Sequence, residues 1–284
     1  MTNEKIAVLV DSGTDVPVEI TNQEGVYTIP LQIIYKDAVY KDKIDITPEE
    51  VYARLSQEIP STSLPDGGQI LAVLDQIKSD GYNKIIAVSI SSGLSGTYNI
   101  LRLLAEDSDL EMFVLDSKNI GIGAGLQAIH AYELIQAKLP FNDIVHKLKR
   151  EVSKTTLYFN VATLEYLQKG GRIGLVSSIV GTALRLNPTI SCNEDGIYYT
   201  VAKTRGRKKS LENLLKLLKA DIGQHKNYRI AVAHGDALEE GEWVRSLVQE
   251  TFPEAKEVLF GTISPALVVH TGPGLVGLGV QLFD

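Results

Sequence analysis

Short apolar runs alternate with amphipathic stretches through the first half of the chain. Ile6–Val10, Lys84–Ile90 and Glu111–Asp116 read as buried strands. Each is followed by turn residues and then a helical pattern, which is the order of parallel βαβ units. Thr47-Pro48-Glu49-Glu50 reads as a helix start, with a Thr N-cap, Pro at the first helical position and Glu at the third. Val51, Tyr52 and Leu55 supply the apolar stripe of that helix.

After about residue 155 the pattern changes. A helical segment from Leu175 to Arg185 precedes Thr189–Asn193, then Glu194-Asp195-Gly196, then Ile197–Lys203. Asp-Gly between two β-rich runs predicts a hairpin. Helix Leu211–Ala220, strand Tyr228–His234, helix Glu239–Gln249 and two final strand-like runs complete an α+β pattern. The expected architecture is therefore α/β in two domains, with a ligand between them. Residues 1–156 form an N-terminal α/β domain with a parallel sheet, and residues 157–284 an α+β domain. No linker composition marks the boundary, and there is no internal repeat.

Composition narrows the classes. A chain of 284 residues with 44% hydrophobic and 22% charged content can bury a sizeable core. A net charge of −7 argues against a general nucleic-acid binder. The single cysteine, Cys192, forms no internal disulfide and no cysteine metal site, which fits a reducing compartment. Met1–Lys5 runs straight into the first strand without a secretory pattern, and no apolar run reaches membrane-spanning length. A soluble cytoplasmic protein is expected. No phosphate-loop motif of the GxxxxGK[ST] type and no metal-ligand spacing occurs.

Four loop segments carry candidate chemistry. Asp11-Ser12-Gly13-Thr14-Asp15 follows the first strand, where open α/β sheets place ligands, and also suits an Asx turn. Ser91-Ser92-Gly93-Leu94-Ser95-Gly96-Thr97 precedes a helix through Leu101 and Leu104. Hydroxyls and free N–H groups there suit either an anion or simple capping. Ser95 nearly stands in a nucleophile elbow, but Thr97 replaces the final glycine. Ser61-Thr62-Ser63-Leu64-Pro65 is a hydroxyl cluster before a helix beginning near Asp66, where capping and turn formation also account for it. Finally, His270-Thr271-Gly272-Pro273-Gly274 continues to Gly277 and Gly279. Its formal GxGxxG spacing is no dinucleotide fingerprint, because too few residues follow to build a βαβ unit. Gly121, Gly123 and Gly125 are read as close packing of helix on sheet. Lys203, Arg205, Arg207, Lys208 and Lys209 form a basic run, which suits a solvated face or an anionic partner.

Taken together, these segments resemble the DegV family, fatty-acid-binding proteins that serve bacterial fatty acid kinases. The markers fall in order along nearly the whole chain: Asp11–Asp15, Thr62-Ser63-x-Pro65 and Ser91–Thr97, then Asp116-Ser117 with Gly121, Gly123 and Gly125. Leu167-x-x-Gly170-Gly171-Arg172-Ile173 and His270-x-Gly272-Pro273-Gly274 complete the set. One departure is Leu64-Pro65-Asp66, where the family's Gln-Pro-Ser usually stands; Asp66 either disfavours an acyl phosphate nearby or caps the helix in solvent.

The resemblance implies two α/β domains holding a long-chain fatty acid such as palmitate or oleate, with no other cofactor. It implies Thr62 and Ser95 as carboxylate contacts, with Ser92, His270 and Gly272 close by. Arg172, Lys203 and Arg205 would face a partner, an ATP-dependent fatty acid kinase that makes the acyl phosphate. The chain itself would be a carrier and not an enzyme. The alternative is a serine hydrolase using Ser95 on an acyl substrate with a histidine such as His270 as base, although nothing in the sequence assigns one of the five histidines to that role. A nucleic-acid regulator using the run Lys203–Lys209 is opposed by the acidic net charge.

Overall fold

Uninterrupted apolar runs become strands covered on both faces. The computed structural model describes residues 4–179 and 186–283. The first half carries β1 (Ile6–Asp11), β2 (Val26–Ile29), β3 (Gln32–Ile34), β4 (Val39–Lys41), β5 (Ser61–Ser63), β6 (Lys84–Ser89) and β7 (Glu111–Asp116). The second carries β8 (Thr155–Asn160), β9 (Leu186–Cys192), β10 (Tyr198–Arg205), β11 (Tyr228–Gly235), β12 (Val258–Thr262) and β13 (Leu275–Leu282).

An all-parallel sheet runs in the order β2-β1-β6-β7. Successive residues of β1 serve opposite faces. Ile6, Val8 and Val10 pack with Ile86 and Val88 against helices Ile122–Gln136 and Phe141–Glu151. Ala7 and Leu9 pack with Ile85 and Ala87 against helices Gly67–Ser79 and Thr97–Glu106. This double covering is why these strands read as continuous apolar runs.

The second half builds a six-stranded sheet, β10-β9-β8-β13-β11-β12, in which β11 and β12 pair in parallel and the other pairs are antiparallel. Helices Arg207–Ile222 and Leu238–Thr251 cover one face through Leu211, Leu214, Leu218, Val244 and Val248. Helix Ile122–Gln136 packs on β8, β11 and β13 as well as on β1 and β6, so it is wedged between the two sheets. That position explains its burial on every side. The Asp-Gly hairpin forms between β9 and β10, with Gly196 at φ 75° and its N–H donating to Asn193 O at 2.8 Å.

Three features differ from the sequence expectation. A small antiparallel sheet, β4-β3-β5, stands beside the parallel one. The segment expected to be helical from Leu175 is a 3-10 helix over Gly174–Ile179, and residues 180–185 lie outside the described residues. The His270 segment is not wholly a loop, because helix Pro265–Thr271 carries His270 in its last turn. Ser264 in extended conformation and Pro265 at the first position start this helix, and Gly272 at φ 64° stops it. The start predicted at Thr47 is present as a complete capping box with Glu50.

Candidate functional site

The parallel sheet has its topological switch point between β1 and β6, since the chain leaves β1 toward β2 on one side and returns to β6 on the other. The loops after these two strands are tied by Asp11. Its Oδ1 accepts the Gly13 N–H at 3.0 Å and its Oδ2 accepts the Ile90 N–H at 2.9 Å. Ser12 donates to Asp42 at 2.6 Å and accepts the Leu31 N–H at 2.9 Å. Asp42 then accepts the Ala266 N–H, and Asp15 the Ser264 N–H, both at 3.0 Å. Asp15 is also paired with Lys43 at 2.9 Å. The Asp11–Asp15 segment therefore forms the Asx turn allowed by its sequence and fastens the start of helix Pro265–Thr271. Burial pushes the Asp11 carboxyl up to about 7 and the Asp42 carboxyl up to about 6.

Beside this knot lies a cavity of about 220 Å³. Leu31, Ile90, Leu94, Ile120, Tyr198 and Leu267 form apolar wall, and Thr62, Ser95, Arg172 and His270 bring polar groups to it. Thr62 is held on β5 by pairing with Ile33 of β3. Its Oγ1 meets His270 Nε2 at 2.7 Å. The ring lies so close over Gly170 that a Cβ there would overlap it. Burial first, and the nearby Arg172 second, push the His270 pKa down to about 4, so the imidazole is neutral at pH 7. His270 Nδ1 is buried and has no protein partner among the described residues. We assign the proton to Nε2, which leaves Nδ1 an unpaired acceptor and lets Nε2–H donate to Thr62. The Thr62 hydroxyl proton is then available to a ligand in the cavity.

Arg172 spans the same region, with Nε donating to Leu94 O at 3.3 Å and Nη1 to Gly170 O at 3.0 Å. Ser95 Oγ accepts the Thr97 N–H at 3.3 Å and shares a 2.9 Å hydrogen bond with the Thr97 hydroxyl, at the start of helix Thr97–Glu106. No histidine is bonded to Ser95 among the described residues, and the depressed pKa of His270 makes it a weak base.

The other expected residues lie further off. Ser92 accepts from Lys118 Nζ at 3.3 Å and borders a neighbouring cleft of about 370 Å³ that shares Leu94, Ser95 and Arg172 with the cavity. Gly272 ends the helix against the Tyr166 ring and does not line the cavity. Lys203 and Arg205 are exposed on β10, opposite Pro188 and Leu186, away from the cavity wall. Within the basic run Arg207 is structural, pairing with Glu240 at 2.7 Å and donating to Gly274 O at 2.6 Å. Asp66 caps helix Gly67–Ser79 through the Gln69 N–H at 3.1 Å and is exposed.

Sequence reasoning missed an apolar chamber next to the cavity. A second chamber of about 30 Å³ shares Ile120, Tyr198, Leu267 and Thr271 with the first and is closed by Leu157, Phe159, Ala233, Ile263, Leu275 and Gly277. It also missed that the Asp195-Gly196 turn docks on the Ser91 loop, where Ser91 Oγ donates to Gly196 O at 2.9 Å. Among the described residues no helix is long and apolar enough to cross a membrane, and no cluster of His, Cys, Asp or Glu is arranged to hold a metal ion.

A family model described as "Uncharacterised protein, DegV family" matches residues 5–282. The chain belongs to the DegV family. This DegV protein is 40% identical over 276 residues to a DegV domain-containing protein of Clostridium acetobutylicum, covering 97% of this chain and 98% of that one. It is 39% identical over 279 residues to another from Clostridium perfringens, covering 98% and 99%. Among solved structures it is similar to a fatty-acid-binding DegV family protein from Thermus thermophilus, at TM-score 0.93 and 27% identity over 98% of this chain and 100% of that one. A stearic-acid-binding protein from Eubacterium ventriosum matches at TM-score 0.87 and 27% identity, over 98% of each chain. DegV of Bacillus subtilis, a fatty acid binding protein, matches at TM-score 0.90 and 26% identity, over 99% and 100%.

Proposed function

We propose that this DegV protein binds a long-chain fatty acid, with the carboxylate at Thr62 and the acyl tail running past Tyr198 toward Phe159. The observation that carries this reading is a cavity with polar groups at Thr62, Ser95, Arg172 and His270 that adjoins an apolar chamber across the shared wall residues Ile120, Tyr198, Leu267 and Thr271. The similar structures from Thermus thermophilus, Bacillus subtilis and Eubacterium ventriosum, each named for fatty acid binding, support it.

The division of labour follows from magnitudes. Burying a tail of about 14 methylenes at about 0.8 kcal/mol each gives a gross gain on the order of 10 kcal/mol. Immobilising both partners takes back a large part of that. The hydroxyl and guanidinium donors supply less energy, but they select a carboxylate and fix the register of the chain. Residues 1–156 and 157–284 act as two domains that share this cavity.

The carrier presents its carboxylate to an ATP-dependent fatty acid kinase. There a carboxylate oxygen attacks the γ-phosphorus of ATP, the bond to the leaving ADP breaks, and an acyl phosphate results. Ser92, Gly272, Lys203 and Arg205 belong to the head-group surroundings and the partner-facing surface in this reading. The test is calorimetric titration of delipidated protein with oleate and with oleyl alcohol, followed by addition of kinase and ATP. Saturable uptake of oleate in preference to the alcohol, and acyl phosphate trapped by hydroxylamine when kinase is present, are expected. No uptake of oleate contradicts the binding reading, and acyl phosphate made without kinase contradicts the carrier reading.

A further inference from the structure

Part of the wall of the apolar chamber is one row of residues that crosses three strands. Ala233 of β11 lies opposite Gly277 of β13, and Gly277 lies opposite Phe159 of β8. All three line the apolar chamber. Their neighbours Val232 and Val276 point to the opposite face, into the core under helices Arg207–Ile222 and Leu238–Thr251.

Gly277 is not demanded by its backbone or by close packing. Its φ is not positive, and a Cβ there would meet Phe159 Cβ at 3.4 Å and Tyr158 O at 3.5 Å, which is ordinary contact. Gly279, two residues on, differs, since a Cβ there would press on Leu126 Cδ1 at 3.2 Å. Two of the residues in this row, Gly277 and Ala233, therefore bring almost no side-chain volume to the chamber wall.

We propose that Gly277 and Ala233 set the longest acyl chain this DegV protein accepts, a step that rests on the fatty-acid reading above. The terminal methyl of the tail stops against this row, with Phe159 as the fixed wall beside it. Side chains added at either position fill the end of the chamber and leave the carboxylate end, at Thr62 and His270, untouched.

The experiment compares wild-type full-length protein with Gly277→Val and Ala233→Val. Each is delipidated and titrated with laurate, myristate, palmitate and stearate. A β-branched residue suits a strand, and far-UV circular dichroism with a thermal melt checks that each variant is folded. Laurate affinity is expected to stay within about twofold of wild type. Stearate affinity is expected to fall by about fourfold for each methylene denied contact, the factor that matches the transfer free energy of one methylene. If Gly277→Val does not fold, Ala233→Val decides the question alone. Equal loss for laurate and stearate in a folded variant, or no loss for either, overturns the proposal. Wild-type protein that takes up none of the four acids removes the fatty-acid reading itself, and this proposal with it.

Discussion

Thr62 and His270 lie 208 positions apart and share a 2.7 Å hydrogen bond between Oγ1 and Nε2. One residue sits on a three-residue strand of the first half, the other in the last turn of a seven-residue helix of the second. The polar end of the cavity therefore exists only when both halves are folded against each other.

Thr62→Ala removes the hydroxyl that the proposed function places against the carboxylate. A hydrogen bond to a charged group is worth about 1.5–3 kcal/mol, so palmitate affinity is expected to fall roughly 10- to 100-fold. Thr62→Ser, which keeps the hydroxyl, is expected to stay close to wild type. Isothermal titration of the two variants separates the hydroxyl from the methyl.

Neutral His270 gives stability a definite pH dependence. Its folded-state pKa, about 4, lies below the ordinary 6.5, so the unfolded chain takes up the proton first as pH falls. This contribution is whole above about pH 6.5 and is lost as pH falls from there toward 4. Relative to His270→Gln, wild type is expected to lose up to about 3 kcal/mol over that window. Denaturant unfolding of both proteins at pH 7 and pH 4.5 measures it.

Arg172 helps to hold His270 neutral. Arg172→Gln is expected to raise the His270 pKa toward the ordinary value while leaving it depressed, because burial is the larger cause. Nuclear magnetic resonance titration of the His270 ring reads this directly. The same variant is expected to bind oleate more weakly and with less dependence on salt.

Asp11 acts in the opposite sense to His270. Burial raises it to about 7, so the folded protein takes up this proton before the unfolded chain, whose carboxyl titrates near 3.8. Its burial penalty is present in full above pH 7 and is relieved as pH falls through that value. Asp11→Asn places an amide NH₂ against one of the two N–H groups that Asp11 accepts, costing about 1–3 kcal/mol. The stability gap between wild type and this variant is expected to widen as pH drops from 8 to 5, read by urea midpoints.

The parallel strands were legible because β1 and β6 are apolar along most of their length, and the Asp195-Gly196 hairpin because its turn chemistry is strong. Thr62 was legible as a hydroxyl cluster but not as a strand residue. Ser61–Ser63 is three small polar residues, too short and too polar for a periodicity signal, and pairing with β3 sets its conformation. Helix Pro265–Thr271 did carry a readable signal, Ser264-Pro265 before it and Gly272 after it. Tyr198, Phe159, Ala233 and Gly277 could not be told from ordinary core, because an inward-facing residue looks the same over a cavity as over packed side chains.

The most direct measurement is native mass spectrometry of the purified protein, followed by denaturation and identification of whatever small molecule is released. A near-stoichiometric adduct that is released as a long-chain fatty acid is the predicted result. A mass matching the bare chain, with no uptake of added oleate or palmitate, would contradict the account.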